Sequence, residues 1–485
     1  MPKPLKQILF GTLGMRLLSK RPSDPLDDVL MTWPTGDQFT GRHMLRSVEA
    51  KGITGSGKSS GSGATVLNAV VRHPRSTCLI VAQKPEEKEV FQEMFARHRK
   101  KLVVIEEGGP WRCNFLDTEV KAGADTRDLV EFISTLGEAL EGSAAGRENE
   151  RFWKMLEQRI IFNAMVALRL GATPDAPGLL RFISTAAYKP DQLKDPAWRE
   201  RDHNQIMKAA WEKKDKSIIQ KADFELIRDF WQNEFVLMDD KPRSSGLAGV
   251  MNTLHTFNTG LVRMMCSTET SVPPAVLDEG TSILVNFPFS SYGPTGRFIA
   301  GGWKYLVQKH ILRRKWDPSG FFNVMMLDEY QESATEMDAR YLAQCRSHGG
   351  AMFTLTQTVN SEYAAIGGKG QHRADQLLSN FGTHIYHVSD PTTAKFASAL
   401  LGQRRETFIS SSPSASQGIG EDIFGHQQNG GSISESYQPI LQPSAFMTDL
   451  RAGGPPHFCV DGIVIRVGER FRNGENWIKV AFRQK

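Results

Sequence analysis

The sequence predicts an α/β fold, a mainly parallel sheet flanked by helices, with an all-α unit inserted between its two halves. Three observations carry that expectation. Short apolar runs alternate with helical patterns on both sides of the chain's middle third. A glycine-rich loop lies between the short segment Ser47–Lys51, read as a strand, and the first such helix. The middle third shows helical periodicity without strand alternation. Strand, helix, strand in this order is the pattern of βαβ layers.

The elements follow in order. Residues 1–40 are expected to form a basic extension, with Lys3, Lys6, Arg16, Lys20 and Arg21 and no acid before Arg21. Within it, Ile8–Leu18 is broken by glycines and Arg16 and lacks a small-residue cleavage site, so it reads as an amphipathic surface helix rather than a signal peptide. Ser47–Lys51 leads into the glycine-rich loop, and Thr65–Val71 reads as a helix. Cys78–Val81 and Leu102–Ile105 are short apolar runs of strand type around the charged helical stretch Pro85–Lys101. The alternation resumes with Ile283–Phe287, Phe322–Leu327, Met352–Thr356 and His384–Val388 as strands. The intervening helices are Arg297–Arg313, Met337–Ser347 and Ala374–Asn380, and Pro391–Leu401 follows the last strand.

Between the halves, Phe152, Leu156, Ile160, Ala164 and Leu168 recur every fourth residue and make one apolar stripe on a long helix. Trp153, Ile161 and Val166 occupy its other faces, which predicts burial on more than one side. The division expected is a discontinuous core of 41–121 and 266–485 interrupted by a helical insert of 122–265. Residues 408–445 are dense in Ser, Gly, Gln and Pro and predict a mobile loop. Phe458–Phe482 alternates again around Asn473-Gly474, a hairpin turn signal.

Composition excludes little but sets limits. Of the 485 residues, 40% are hydrophobic and 23% charged, as in soluble globular proteins. A net charge of +5 is too mild to establish a polyanionic partner, and the basic clusters at Arg97–Lys101 and Arg313–Lys315 read first as solvated helix faces and only second as a nucleic-acid or anionic-lipid contact. The five cysteines form no CxxC pair, so neither a disulfide framework nor a zinc site is indicated and a cytoplasmic location is expected. No apolar stretch has the length of a spanning helix.

The chemistry is concentrated in two segments. Gly52-Ile53-Thr54-Gly55-Ser56-Gly57-Lys58-Ser59 matches GxxxxGK[ST], and Ser60 follows it. Glycines let such a loop fold tightly so that backbone N–H groups point at phosphates, and the positive end of the following helix adds to the attraction. Lys58 can reach the β- and γ-phosphates of ATP, and the Ser59 hydroxyl can ligate Mg²⁺. The second segment is Val324-Met325-Met326-Leu327-Asp328-Glu329, an apolar strand ending in two acids. Its end would meet the loop at the carboxyl edge of the sheet, where Asp328 can hold the Mg²⁺ shell and Glu329 can polarise a water. Gln357 follows Met352–Thr356 and would either sense the γ-phosphate or cap the next helix. Arg346 would be either an arginine finger for a neighbouring subunit or a surface cation.

In this order the segments resemble the type IV secretion coupling proteins of bacterial conjugation, the TraD/TraG-type ATPases. The resemblance rests on Gly52–Ser60, on Cys113-Asn114-Phe115-Leu116-Asp117, which is similar to the family's NPLD box, on Phe152-Trp153 and on Leu327-Asp328-Glu329-Tyr330-Gln331. It continues from Cys345 through Gln357 to Leu377–Thr383, Asp390 and Leu400-Leu401-Gly402, and so covers roughly residues 45–405. It implies a RecA-like motor core with an inserted all-α domain, a hexameric ring with ATP at subunit interfaces, and DNA in the central channel. It also implies that Lys58, Ser59, Asp328 and Glu329 are the hydrolytic set, with Arg346 as inter-subunit arginine and Gln357 as sensor. Relaxase or secretion-channel proteins would be partners. Two features depart from the family: Phe115 replaces the usual proline, and the family's transmembrane segment has no counterpart, which implies membrane docking through partners or a soluble relative. Two other functions fit the same motifs, a substrate-recruiting adaptor that uses ATP as an assembly switch and a DNA-pumping ATPase of the chromosome-partition kind.

Overall fold

A computed structural model describes residues 24–141, 148–213, 218–366, 371–413 and 429–484. The expected helix at Ile8–Leu18 and its basic neighbours lie outside these residues. The centre is a nine-stranded sheet in the order β13-β12-β9-β3-β8-β7-β4-β6-β5. Its strands are β3 (Val48–Lys51), β4 (Ser76–Val81), β5 (Lys101–Ile105), β6 (Thr281–Val285), β7 (Phe322–Leu327), β8 (Gly350–Thr356), β9 (Thr383–Tyr386), β12 (Cys459–Arg466) and β13 (Trp477–Arg483). Every pairing from β9 through β3 to β5 is parallel, whereas β12 runs antiparallel to both β9 and β13.

Burial explains the pattern of the sequence. All side chains of β4, β7 and β8 are buried, because helices cover both faces of a parallel sheet and select continuous apolar runs. The antiparallel strand β13 instead alternates buried and exposed residues, as an edge with one wet face requires. This is the expected α/β core. Among the turns, Gly474 takes φ 82° and the Asn473 side chain accepts from the Glu475 N–H at 3.0 Å, so the Asn-Gly pair does shape the link from β12 to β13.

Between β5 and β6 the chain is helical among the described residues. The long helix Glu148–Gly171 buries Leu156, Ile160, Ala164 and Leu168 along the expected stripe, and Ile161 and Val166 on other faces. Helices Thr126–Glu141, Ala176–Ser184, Asp202–Lys213, Ile218–Asp229 and Asp240–Phe257 surround it. Their apolar residues join those of one sheet face in a continuous cluster through Phe115, Phe132, Phe257, Phe298 and Trp303. Asn114 caps the helix Phe115–Lys121 by accepting from the Asp117 N–H at 3.2 Å. Phe115, in the place of the resembled family's proline, lies edge-on to Trp303 at 6.2 Å and over Gly302, where a Cβ would come within 2.1 Å of its ring. The aromatic ring therefore fixes a glycine on the facing helix.

Two expectations are corrected. Residues 24–40 are not a mere extension, because β1 (Val29–Thr32) and β2 (Gln38–Thr40) form a hairpin whose Leu30, Trp33 and Phe39 sit in the core beneath the sheet. Three large apolar groups in a short span outweigh the polar composition around them. The mobile loop expected over 408–445 also fails in part. β10 (Gln403–Pro413) and β11 (Asn429–Pro439) pair along eleven positions as an antiparallel ribbon, and residues 414–428 between them lie outside the described residues. So few apolar groups cannot build a core, but a ribbon satisfies its backbone by pairing and leaves Ile409 and Ile433 exposed.

Candidate nucleotide-binding site

The site is built on three adjacent strands. β3 delivers the loop at 52–59, β8 on its flank delivers Gln357, and β7 beyond β8 delivers Asp328 and Glu329. Because β3, β8 and β7 are parallel and in register, their carboxyl ends form one edge. Segments separated by some 270 residues of sequence therefore meet: the Ser59 hydroxyl donates to the Asp328 carboxylate at 2.8 Å.

Local backbone explains the glycines. Gly52 donates to the Thr356 carbonyl at 3.2 Å, and a Cβ there would fall 2.4 Å from Ser56 Oγ and 2.8 Å from His387. Gly57 takes φ 79° and is overlain by Val460 of β12. Only glycine meets both demands. The N–H groups of Gly55, Gly57 and Lys58 have no partner among the described residues, and the buried Ser56 hydroxyl is likewise unpartnered. Thr54 and Ser60 are exposed, and Ser60 accepts from the Gln484 amide at 2.9 Å. The helix then begins with a wide turn over Ser59–Gly63 and continues through Ala64–Arg72.

The charged groups converge. The Lys58 ammonium is 3.4 Å from one Glu329 oxygen. The other oxygen accepts from Gln331 at 2.7 Å and from Gln357 at 3.1 Å. Asp328 is almost entirely buried, which pushes its carboxyl above the usual range against the contacts from Ser59 and the Glu329 N–H. Glu329 adopts φ 42°, ψ 53°, a left-handed backbone that an ordinary side chain tolerates only when its surroundings impose it. The surroundings are visible: the next residue, Tyr330, is buried and donates to Asp338 at 2.8 Å.

Of the residues expected from sequence, Lys58, Ser59, Asp328, Glu329 and Gln357 are brought together around the loop of Gly52, Thr54, Gly55, Ser56, Gly57 and Ser60. Arg346 is not. It is exposed on the turn Cys345–His348 that enters β8, at the sheet edge opposite Gln357, and with Arg42, Leu26, Leu45 and Gln344 it lines a cleft of about 320 Å³. A hydroxyl and a carboxylate oxygen side by side are hard donors suited to a divalent cation such as Mg²⁺, and the unpartnered N–H groups suit phosphate oxygens.

Two residues at this edge escaped the sequence reading. Glu87 opens the helix after β4 and accepts from the Gln83 N–H at 2.9 Å, and burial together with the nearby Asp328 pushes its carboxyl up to about 7. Its one signal was the acid pair Glu86-Glu87 at the start of the helix that follows a strand. His387, beyond β9, holds the Ser62 hydroxyl at 2.7 Å, and burial pulls its ring down to about 4, so it stays neutral. Nothing in its neighbourhood along the sequence marked it.

The fold matches TrwBdeltaN70, a bacterial conjugative coupling protein in its unbound form, at a TM-score of 0.59 and 15% identity over 94% of this chain and 89% of that one. It matches the plasmid coupling protein TrwB in complex with ADP and Mg²⁺ at 0.61 and 14% identity over 94% and 89% of the two chains. The chain has the fold of a conjugative coupling protein. TrwB bound to the ATP analogue ADPNP matches equally, at 0.60 and 15% identity over 94% and 90%. At the level of sequence, residues 323–449 match the family described as the TraM recognition site of TraD and TraG. No curated protein sequence matches the chain. Among the described residues no helix is long and apolar enough to cross a membrane.

Proposed function

We propose that this coupling-protein fold is an ATP-hydrolysing motor that recruits and translocates DNA, or a DNA–protein substrate, for type IV secretion or conjugation. The observation that carries the reading is the 2.8 Å contact between Ser59 and Asp328, which unites two distant motifs at one sheet edge. In this reading Lys58 and the loop N–H groups bind the phosphates of ATP, while Ser59 and Asp328 hold Mg²⁺. The cation would neutralise charge developing on the phosphate oxygens. Glu329 orients and polarises the attacking water, and the amides of Gln331 and Gln357 fix its carboxylate. In the same reading Gln357 registers whether the γ-phosphate is present, which its 3.1 Å contact with Glu329 supports.

Arg346 acts in trans. Its position at the far edge of the sheet supports donation to the next subunit of a ring, which fits a homo-hexamer with DNA in its channel. The same proposal assigns 41–121 and 266–485 to the motor and 122–265 to an inserted helical domain. The match over 323–449 supports a relaxosome-type protein partner, and membrane association would then come through partners.

The test is the ATPase rate without DNA and with single- or double-stranded DNA. Stimulation that falls steeply with added salt is expected, because phosphate contacts release counterions. Hydrolysis indifferent to every DNA would leave the adaptor reading, and stimulation by duplex alone with no secretion partner would favour a partition-type pump.

A further inference from the structure

Directly beneath the loop lies a cluster of charges that the proposed reaction does not use. Lys51, the last residue of β3, is buried with its side chain 0% exposed, between Glu49 at 2.6 Å and Glu362 at 2.9 Å, whose side chains are 1% and 0% exposed. Glu49 also meets His384 Nδ1 of β9 at 2.6 Å and accepts from the Tyr386 hydroxyl at 3.4 Å. Glu362 accepts from the Thr356 hydroxyl of β8 at 2.9 Å. Ionised groups so far from water are costly to fold around, and an apolar set of the same shape is often as stable or more so. Stability therefore does not explain them.

Their places along the chain do. Lys51 precedes Gly52, the first residue of the loop, and Thr356 precedes Gln357. Glu362 lies on the helix Val359–Ile366 that follows Gln357. One carboxylate thus touches the residue before the phosphate loop and the residue before the sensor, across two neighbouring parallel strands. Against the penalty of burial, Lys51 and His384 hold the Glu49 carboxyl down at about 2, so the Lys51–Glu49 pair stays charged. Burial pushes Glu362 up to about 6, which marks it as the less satisfied carboxylate.

We propose that Glu362 is a positioning residue: through Lys51 and Thr356 it locks the ends of β3 and β8 in register, so that Lys58 and Gln357 face the same phosphate. The helix Val359–Ile366 then moves with Gln357 rather than independently of it. This inference rests on the hydrolase reading above, and it concerns alignment rather than binding.

Thr356→Val removes only the hydroxyl that docks Glu362, and Glu362→Gln removes only its charge. Both variants are expected to bind a fluorescent ATP analogue within twofold of the wild type and to hydrolyse ATP at least tenfold more slowly. Thr356→Ser is expected to restore the rate. In the nucleotide-free protein, amide exchange over 359–366 should accelerate at least tenfold in both variants, while exchange in β12 and β13 stays as in the wild type. Unchanged turnover in Thr356→Val, or a parallel loss of affinity and rate with faster exchange throughout the chain, would overturn the inference and leave a purely structural cluster. A wild type inert toward ATP would instead defeat the hydrolase reading, and the exchange measurement would still decide whether Glu362 holds that helix.

Discussion

The ammonium of Lys304 lies 2.7 Å from the carboxylate of Asp338, with the two side chains 1% and 0% exposed. Burial pulls the lysine down from its usual range, and Asp338 answers by gathering Gln308 at 2.6 Å, Tyr330 at 2.8 Å and the Thr335 N–H at 2.8 Å. This hub anchors the turn that carries Glu329. Lys304→Met strands the carboxylate and is expected to destabilise the fold by about 3–5 kcal/mol in urea unfolding. Lys304→Met with Asp338→Asn, which removes the charge but keeps an acceptor for Tyr330 and the Thr335 N–H, should recover part of that loss. A single substitution costing under about 1 kcal/mol would show that the pair is compensated elsewhere.

Glu329→Gln preserves the shape of the side chain but removes its charge, the one that the proposed mechanism needs. Turnover should fall by about 10²–10⁴-fold, while binding of an ATP analogue, measured by fluorescence, persists. Equal turnover in both proteins would remove Glu329 from the chemistry.

Ser59→Ala deletes the hydroxyl that reaches Asp328 at 2.8 Å. Nucleotide affinity in the presence of Mg²⁺ should drop, whereas affinity in excess chelator should stay near that of the wild type. The same drop under both conditions would place Ser59 outside the metal shell.

Arg346→Ala should leave nucleotide affinity intact yet reduce turnover by about 10³-fold or more, the scale of a lost arginine finger. Mixing it with Glu329→Gln protein distinguishes action in trans: subunits that each lack a different group should regain partial activity in shared rings. Absence of recovery, with assembly confirmed, would return Arg346 to the surface.

The helical insert carries an acid-sensitive group. His203 is stacked on Phe182 at 4.1 Å with Nδ1 at 3.0 Å from the Phe182 carbonyl, and burial lowers its ring from 6.5 to about 4. The unfolded chain takes up this proton near pH 6.5 and the folded chain only near 4, so stability is complete above that window and declines as pH falls through it. The loss amounts to about 3 kcal/mol by linkage. Thermal melts of His203→Gln should show a shallower decline between pH 6.5 and 4. An identical slope would exclude this ring.

Much of the site was legible because its chemistry is local. A loop that cradles phosphate needs glycines at fixed offsets, and a strand buried on both faces that ends in Asp-Glu declares both its environment and its edge. The parallel strands were legible for the same reason. The Lys51 cluster was not, since Val-Glu-Ala-Lys reads as an ordinary half-exposed strand until β8 and β9 close over it. Glu87 and His387 acquire meaning only from residues that other strands bring near. The ribbon of β10 and β11 was hidden because its residues pair without a core, and apolar composition marks only what a core would bury.

The contact between Gly61 and Val460 ties two distant stretches of the chain to one fate. A methyl group at position 61 would come within 2.2 Å of the valine side chain. Any bulkier residue there demands a smaller one at 460, so position 61 can grow only after or together with a change at 460. Among natural variants of this chain, a larger residue at 61 should occur only with a smaller one at 460, and a graft of the glycine-rich loop and its helix alone into a related scaffold would fail where the residue facing position 61 is larger than glycine allows.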